Sequence, residues 1–177
     1  TTTVSNAFVV MLARETVRLV HRWLPMALEQ PDDLEARYGL CLAAIQAGLA
    51  FDNGLLHMAH ALEQPLRSVC KAPHGLRLAV LLPAVVRECY PACAPVADIL
   101  APLAPGLHGL PEEAPKAARA VEQWLFSVGL TQKLLNLGVQ ELDVEKFCTQ
   151  VEHTPALGPL LSVAPVASSH ELVTRIY

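Results

Sequence analysis

The sequence is poor in charge and poorer in aromatics: Asp, Glu, Lys and Arg make up 17% of its 177 residues, and Phe, Trp and Tyr 5%. Its Lys and Arg residues form no cluster and no stripe interleaved with aromatics, and the net charge is −4. A nucleic-acid partner, which needs a basic footprint, is therefore not expected. No apolar run approaches the ~20 residues that a membrane-spanning helix requires, and the run at residues 79–86 is interrupted by Pro83. The charged, apolar and small-residue order of a signal peptide is missing. Sustained strand-type alternation, internal repeats and long linkers are also missing. There is no GxGxxG and no GxxxxGK[ST] to cradle a phosphate, no GxSxG elbow for a serine hydrolase, and no HExxH. The chain begins Thr1-Thr2-Thr3 without an initiating Met and is expected to be a fragment of something longer.

What is present is apolar. Hydrophobic residues account for 53% of the chain, more than a soluble domain of this size needs for its core, which implies surface covered by a partner. Five cysteines occur at irregular spacing, and an odd count argues against a disulfide framework. They read as reduced, mostly buried thiols of a cytoplasmic protein. Cys89 and Cys93 lack the second Cys pair that a zinc site would need.

Apolar residues recur with helical period throughout. The pattern predicts a helix over residues 6–23 that ends before Pro25. A second is predicted to open at Pro31-Asp32-Asp33 and run to Gly48, with proline and carboxylates suited to a helix start. Residues 51–54 read as a turn or helix start. A third helix is predicted over 55–69, kinked by Pro65, then a tight connection at 72–75 and a fourth helix over 76–89. Further helices are expected at 94–101, 111–128 and 143–152, with a short piece at 131–137 closed by Gly138. Glu112 and Glu113 sit at a helix start, where complementing the helix dipole is their role. Residues 153–168 read as irregular, and Ser168 and Glu171 are spaced as a capping box for a last helix. The fold class is all-α.

Seven histidines are present, and His57, His60 and His74 crowd together. His57 and His60 are three apart, placing them on one helical face. His74 follows in the next turn, so a helix and its exit could bring His60 and His74 together. Neutral imidazoles are ligands for divalent metals, but two of them without a carboxylate do not define a site.

Residues 48–86, GLAFDNGLLHMAHALEQPLRSVCKAPHGLRLAVLLPAVV, resemble the metal-binding core of the iron-containing (group III) alcohol dehydrogenases. That core reads AGxAFxNxxLGxxHxxxHPLGxxxxxPHGxxxAxxLPxVM. Gly48, Ala50, Phe51, Asn53, His60, Pro65, Leu66, Pro73, His74, Gly75, Ala79, Leu82 and Pro83 fall in register without a gap. The opening VSNAFVVMLARETVRLV is similar to the family's helix after its first metal motif, and residues 128–139 to a later loop.

The resemblance implies a helical bundle of the dehydroquinate synthase-like kind, with residues 1–177 a single helical domain. That domain would be the C-terminal part of a two-domain enzyme whose N-terminal nucleotide-binding domain is absent. It implies an oxidoreductase acting on CH–OH with NAD(P), interconverting alcohols and aldehydes. The metal, Fe²⁺ or Zn²⁺, is bound in the family by one Asp and three His. His60 and His74 match the last two ligands; the others belong to a D-x-x-x-H helix expected just before Thr1. Phe51, His57 and Gln64 would line the substrate side. Gln64 stands where the family has a His that relays protons, Arg67 where it has Gly, and His57 where it has Gly. The family's NPR sequence is also absent. This chain alone is expected to be inactive, with an incomplete metal site. Its partners would be its own N-terminal domain and, in a homodimer, a second copy. Two other outcomes remain open: a non-catalytic assembly or scaffold descendant, and a relative of maleylacetate reductase or the polyol dehydrogenases.

Overall fold

In the computed structural model, which describes residues 2–177, the described residues form helices and no strand. The first two, α1 (Ala7–Glu29) and α2 (Leu34–Gly54), make an antiparallel hairpin. Asn6 caps α1 by accepting from the Val9 N–H, and Asp33 caps α2 by accepting from the N–H groups of Glu35 and Ala36. Both helices outrun their predicted ends. α1 passes through Pro25 for another turn, because proline deletes one backbone bond and the ladder resumes beyond it. α2 continues past Gly48, which does not adopt the left-handed backbone of a helix-ending glycine. It stops instead at Leu55, which takes φ 60° and donates its N–H to the Phe51 carbonyl. The hairpin closes over Leu19, Trp23, Ala27, Ala36 and Ala43.

After Leu55 the chain turns by 105° into α3 (Met58–Leu66), shorter than predicted at both ends. α4 (His74–Cys89) begins at His74 itself, two residues earlier than predicted, with Pro73 as its N-cap. α5 (Pro95–Leu100) and α6 (Ala114–Ser127) follow; the expected first turn of α6 is a separate 3₁₀ turn, Pro111–Glu113. The Leu134–Leu137 turn closes on Gly138 at φ 88°. The last helices are α7 (Glu141–His153), α8 (Gly158–Ser162) and α9 (His170–Ile176). The segment read as irregular thus holds a 3₁₀ turn and α8, and Ser169 rather than Ser168 caps α9, accepting from the Leu172 N–H.

Two larger cores flank α4. On one side Met58, Leu62 and Leu66 of α3 meet Leu81 and Val85 of α4, Phe147 of α7 and Val173 of α9. On the other, Tyr90, Val96 and Leu100 pack on Ala117, Val121 and Leu125 of α6. α3 and α4 are therefore gripped from behind, which fixes the position of the loop between them. Among the described residues no single helix is long and apolar enough to cross a membrane.

Candidate metal-binding site

The junction of α3 and α4 brings His60 and His74 together. Their ring centroids are 5.5 Å apart with planes inclined at 58°. His60 rides on the first turn of α3 and is partly buried. His74 is the first residue of α4, and half of its side chain is exposed. Burial, and then the nearness of His74, lowers the His60 pKa, which favours a neutral ring with a lone pair to offer.

Beneath the pair lies a group that the sequence reading did not single out. Glu63, one turn after His60 on α3, has no solvent exposure. Its Oε1 is 3.2 Å from His74 Nδ1 and accepts from the Arg77 guanidinium at 2.6 Å. Its other oxygen accepts from Arg67 at 3.2 Å. Burial alone would raise this carboxyl, but the hydrogen bond from His74 and the two guanidinium groups outweigh it and hold its pKa below the usual value. Arg77, itself buried, also donates to the Ala72 carbonyl in the loop that leads to His74. A signal existed: Glu63 falls among the buried positions Met58, Ala61, Leu62 and Leu66 of an otherwise amphipathic helix, with Arg67 four residues on.

The other expected site residues are more dispersed. His57 does not share a helical face with His60, as the spacing suggested. It is the N-cap of α3, with non-helical backbone, outside the helical period. Its Nδ1 is buried without a hydrogen-bond partner, and burial above all drops its pKa to about 4. The ring lines an apolar cavity of about 330 Å³ between α1, α4, α5 and α6, together with Val20, Leu82, Tyr90 and Trp124. Phe51 is exposed on the last turn of α2, and Gln64 is partly buried on α3. A larger open cleft of about 1100 Å³ lies between α1 and residues 92–98, and neither His60 nor His74 lines either cavity.

The donor set suits half of a metal site. Two imidazoles converge, and Glu63 engages the inner nitrogen of one of them, leaving its Nε2 for a cation. Among the described residues no group of three His, Cys, Asp or Glu side chains is arranged to hold a metal.

The model for "Fe-containing alcohol dehydrogenase family, C-terminal" matches residues 1–177. A long-chain primary alcohol dehydrogenase of Thermoanaerobacter ethanolicus is 48% identical over 179 residues, which is all of this chain and 45% of that protein. A 1,3-propanediol dehydrogenase of Klebsiella pneumoniae is 35% identical over 74% of this chain and 35% of its own length. The crystal structure of a 1,3-propanediol oxidoreductase superposes with a TM-score of 0.86 at 28% identity, over 99% of this chain and 46% of that one. The iron-containing alcohol dehydrogenase of Thermococcus thioreducens gives 0.79 at 28% identity, over all of this chain and 45% of that one. The chain thus spans about half the length of the relatives it matches most fully.

Proposed function

The chain belongs to the Fe-containing alcohol dehydrogenase family, and from that we propose that it supplies the metal-binding helical part of an NAD(P)-dependent oxidoreductase acting on primary alcohols and their aldehydes. The observation that carries the reading is the meeting of His60 and His74 over a buried carboxylate at the α3–α4 junction. His60 and His74 would be two of the ligands to Fe²⁺ or Zn²⁺. The remaining ligands and the nicotinamide site would come from the nucleotide-binding part of the intact protein. When bound, the cation supplies a Lewis acid that draws charge from an alcohol or carbonyl oxygen.

The residues of this chain then have separate tasks. The lowered pKa of His60 favours the neutral ring that a metal ligand needs. Phe51, exposed at the end of α2, offers an apolar wall to the substrate, and Gln64 a hydrogen-bonding group that does not titrate. A primary alcohol as substrate is supported by the 48% identity to a long-chain primary alcohol dehydrogenase. Isolated from the cofactor site, the chain would not transfer hydride.

Partners follow from the same reading. Leu34, Tyr38, Ile45 and Leu49 recur on one side of α2 and are all exposed. This face would be covered by the nucleotide-binding part, with a homodimer as the assembled state and the cytoplasm as its place. No disulfide joins the described cysteines, which suits a reducing compartment.

The test is metal content. In the intact protein, His60→Ala and His74→Ala should each abolish retention of iron or zinc by elemental analysis and with it alcohol oxidation by NAD(P). Unchanged metal content in either variant would sink the ligand assignment.

A further inference from the structure

We propose that Glu63 is a positioning residue: its buried carboxylate fixes the tautomer and the aim of the His74 ring, so that His74 presents Nε2 to the metal. The inference rests on the reading of His74 as a ligand and adds a second layer to it.

An ionised carboxylate accepts hydrogen bonds and cannot donate them. Glu63 Oε1 lies 3.2 Å from His74 Nδ1, so the shared proton belongs to Nδ1 and the lone pair to Nε2. A ring nitrogen bonded to a carboxylate is held in orientation, and its opposite nitrogen becomes a stronger donor to a metal. The carboxylate is itself held. Arg77 grips it from α4 at 2.6 Å, and Arg67 from one turn further along α3 at 3.2 Å. Arg77 also ties down the Ala72 carbonyl, two residues before His74. One ion cluster thus sets the loop, the start of α4 and the ring. Because Glu63 and His60 share the first turns of α3, the cluster also sets the separation of the two imidazoles.

Apolar packing could join α3 to α4 without a charge. A buried carboxylate is costly to desolvate and is a weak source of stability. Its contact with the half-exposed His74 gives the charge a purpose that packing cannot serve.

The test uses the intact protein, first without metal. Long-range ¹H–¹⁵N correlation should show His74 as the Nδ1–H tautomer in the wild type, and the Nε2–H form there would overturn the proposal without any variant. Glu63→Gln, whose amide can donate as well as accept, should yield a mixed or reversed His74 tautomer. It should also weaken Zn²⁺ binding, read by chelator competition, by about 10–100-fold. Arg67→Gln disturbs the same network from its exposed side and should leave the tautomer unchanged; a tautomer change there as large as in Glu63→Gln would overturn the specific role of Glu63. Zn²⁺ affinity within twofold of wild type in Glu63→Gln, with His74→Ala losing the metal, would overturn the proposal and keep the ligand reading. Retention of Zn²⁺ by His74→Ala would overturn the ligand reading, and the role of Glu63 toward the metal with it.

Discussion

The indole of Trp23 occupies the space that a side chain at position 39 would need: a Cβ built on Gly39 lies 2.3 Å from Trp23 Cδ1. The α1–α2 hairpin closes only because that position on α2 is bare. Gly39→Ala must displace a bulky ring from a packed contact, and the expected loss is about 1–3 kcal/mol. Gly48, on the same helix, meets nothing within 4 Å. Gly48→Ala should instead gain about 0.5–1 kcal/mol from helix propensity. Urea midpoints of the two variants should move in opposite directions.

The ion cluster makes a second prediction. Arg77→Leu removes the guanidinium nearest the sealed Glu63 carboxylate, and only the half-exposed Arg67 remains as a cationic partner. Breaking a buried pair from one side costs about 3–5 kcal/mol. The double variant Glu63→Leu with Arg77→Leu should recover more than half of that loss. A double-variant midpoint no higher than that of Arg77→Leu alone would rule out an uncompensated charge as the cause.

Gln64 offers a gain-of-function test of the proposed chemistry. It lies one turn beyond His60 on α3, and its amide carries no proton that titrates near neutrality. Gln64→His should introduce a new limb near the ordinary histidine pKa of about 6.5 into the kcat–pH profile of the intact enzyme. It should raise the rate about tenfold or more on the favourable side. An unchanged profile would place residue 64 outside the path of the proton.

His170 predicts a pH dependence of stability. Its ring bridges Glu145 at 3.1 Å and Glu152 at 3.2 Å, tying the start of α9 to α7. The charge of Glu145 first, and then the hydrogen bonds that the ring donates to both carboxylates, raise its pKa above the ordinary 6.5. A raised pKa means that the folded state holds the proton more tightly. The contribution is therefore complete below pH 6.5 and disappears as pH climbs through the raised value. The denaturation midpoint of wild type should exceed that of His170→Gln in mild acid, and the gap should close as pH rises through the raised value. A gap that widens with rising pH would contradict the sign.

Much of this was legible in the residues, for reasons that differ by element. The proximity of His60 and His74 follows from a helix and its exit loop, both local. The helix starts near Asn6 and Asp33 and the closing of a turn by Gly138 are local as well. α1 and α2 outrun the ends that Pro25 and Gly48 suggest, because these residues are breakers only in isolation and hairpin packing overrides them. His57 was placed in the helical period, whereas the turn at Leu55 shifts the helix start beyond it. Glu63 was passed over because its partners His74 and Arg77 are brought to it only by the packing of α4 against α3.

That packing has a consequence for how such a protein can diverge. The carboxylate that faces His74 also bridges α3 and α4, so a substitution that retunes the ring simultaneously threatens the fold. Drift at Glu63 and Arg77 is penalised twice. On the proposed reading of the site, novelty would enter elsewhere, at positions such as Phe51 and Gln64 that lie outside the cluster and can vary without unpairing a charge. A lineage built on this junction would explore new substrates along its rim while its centre stays frozen.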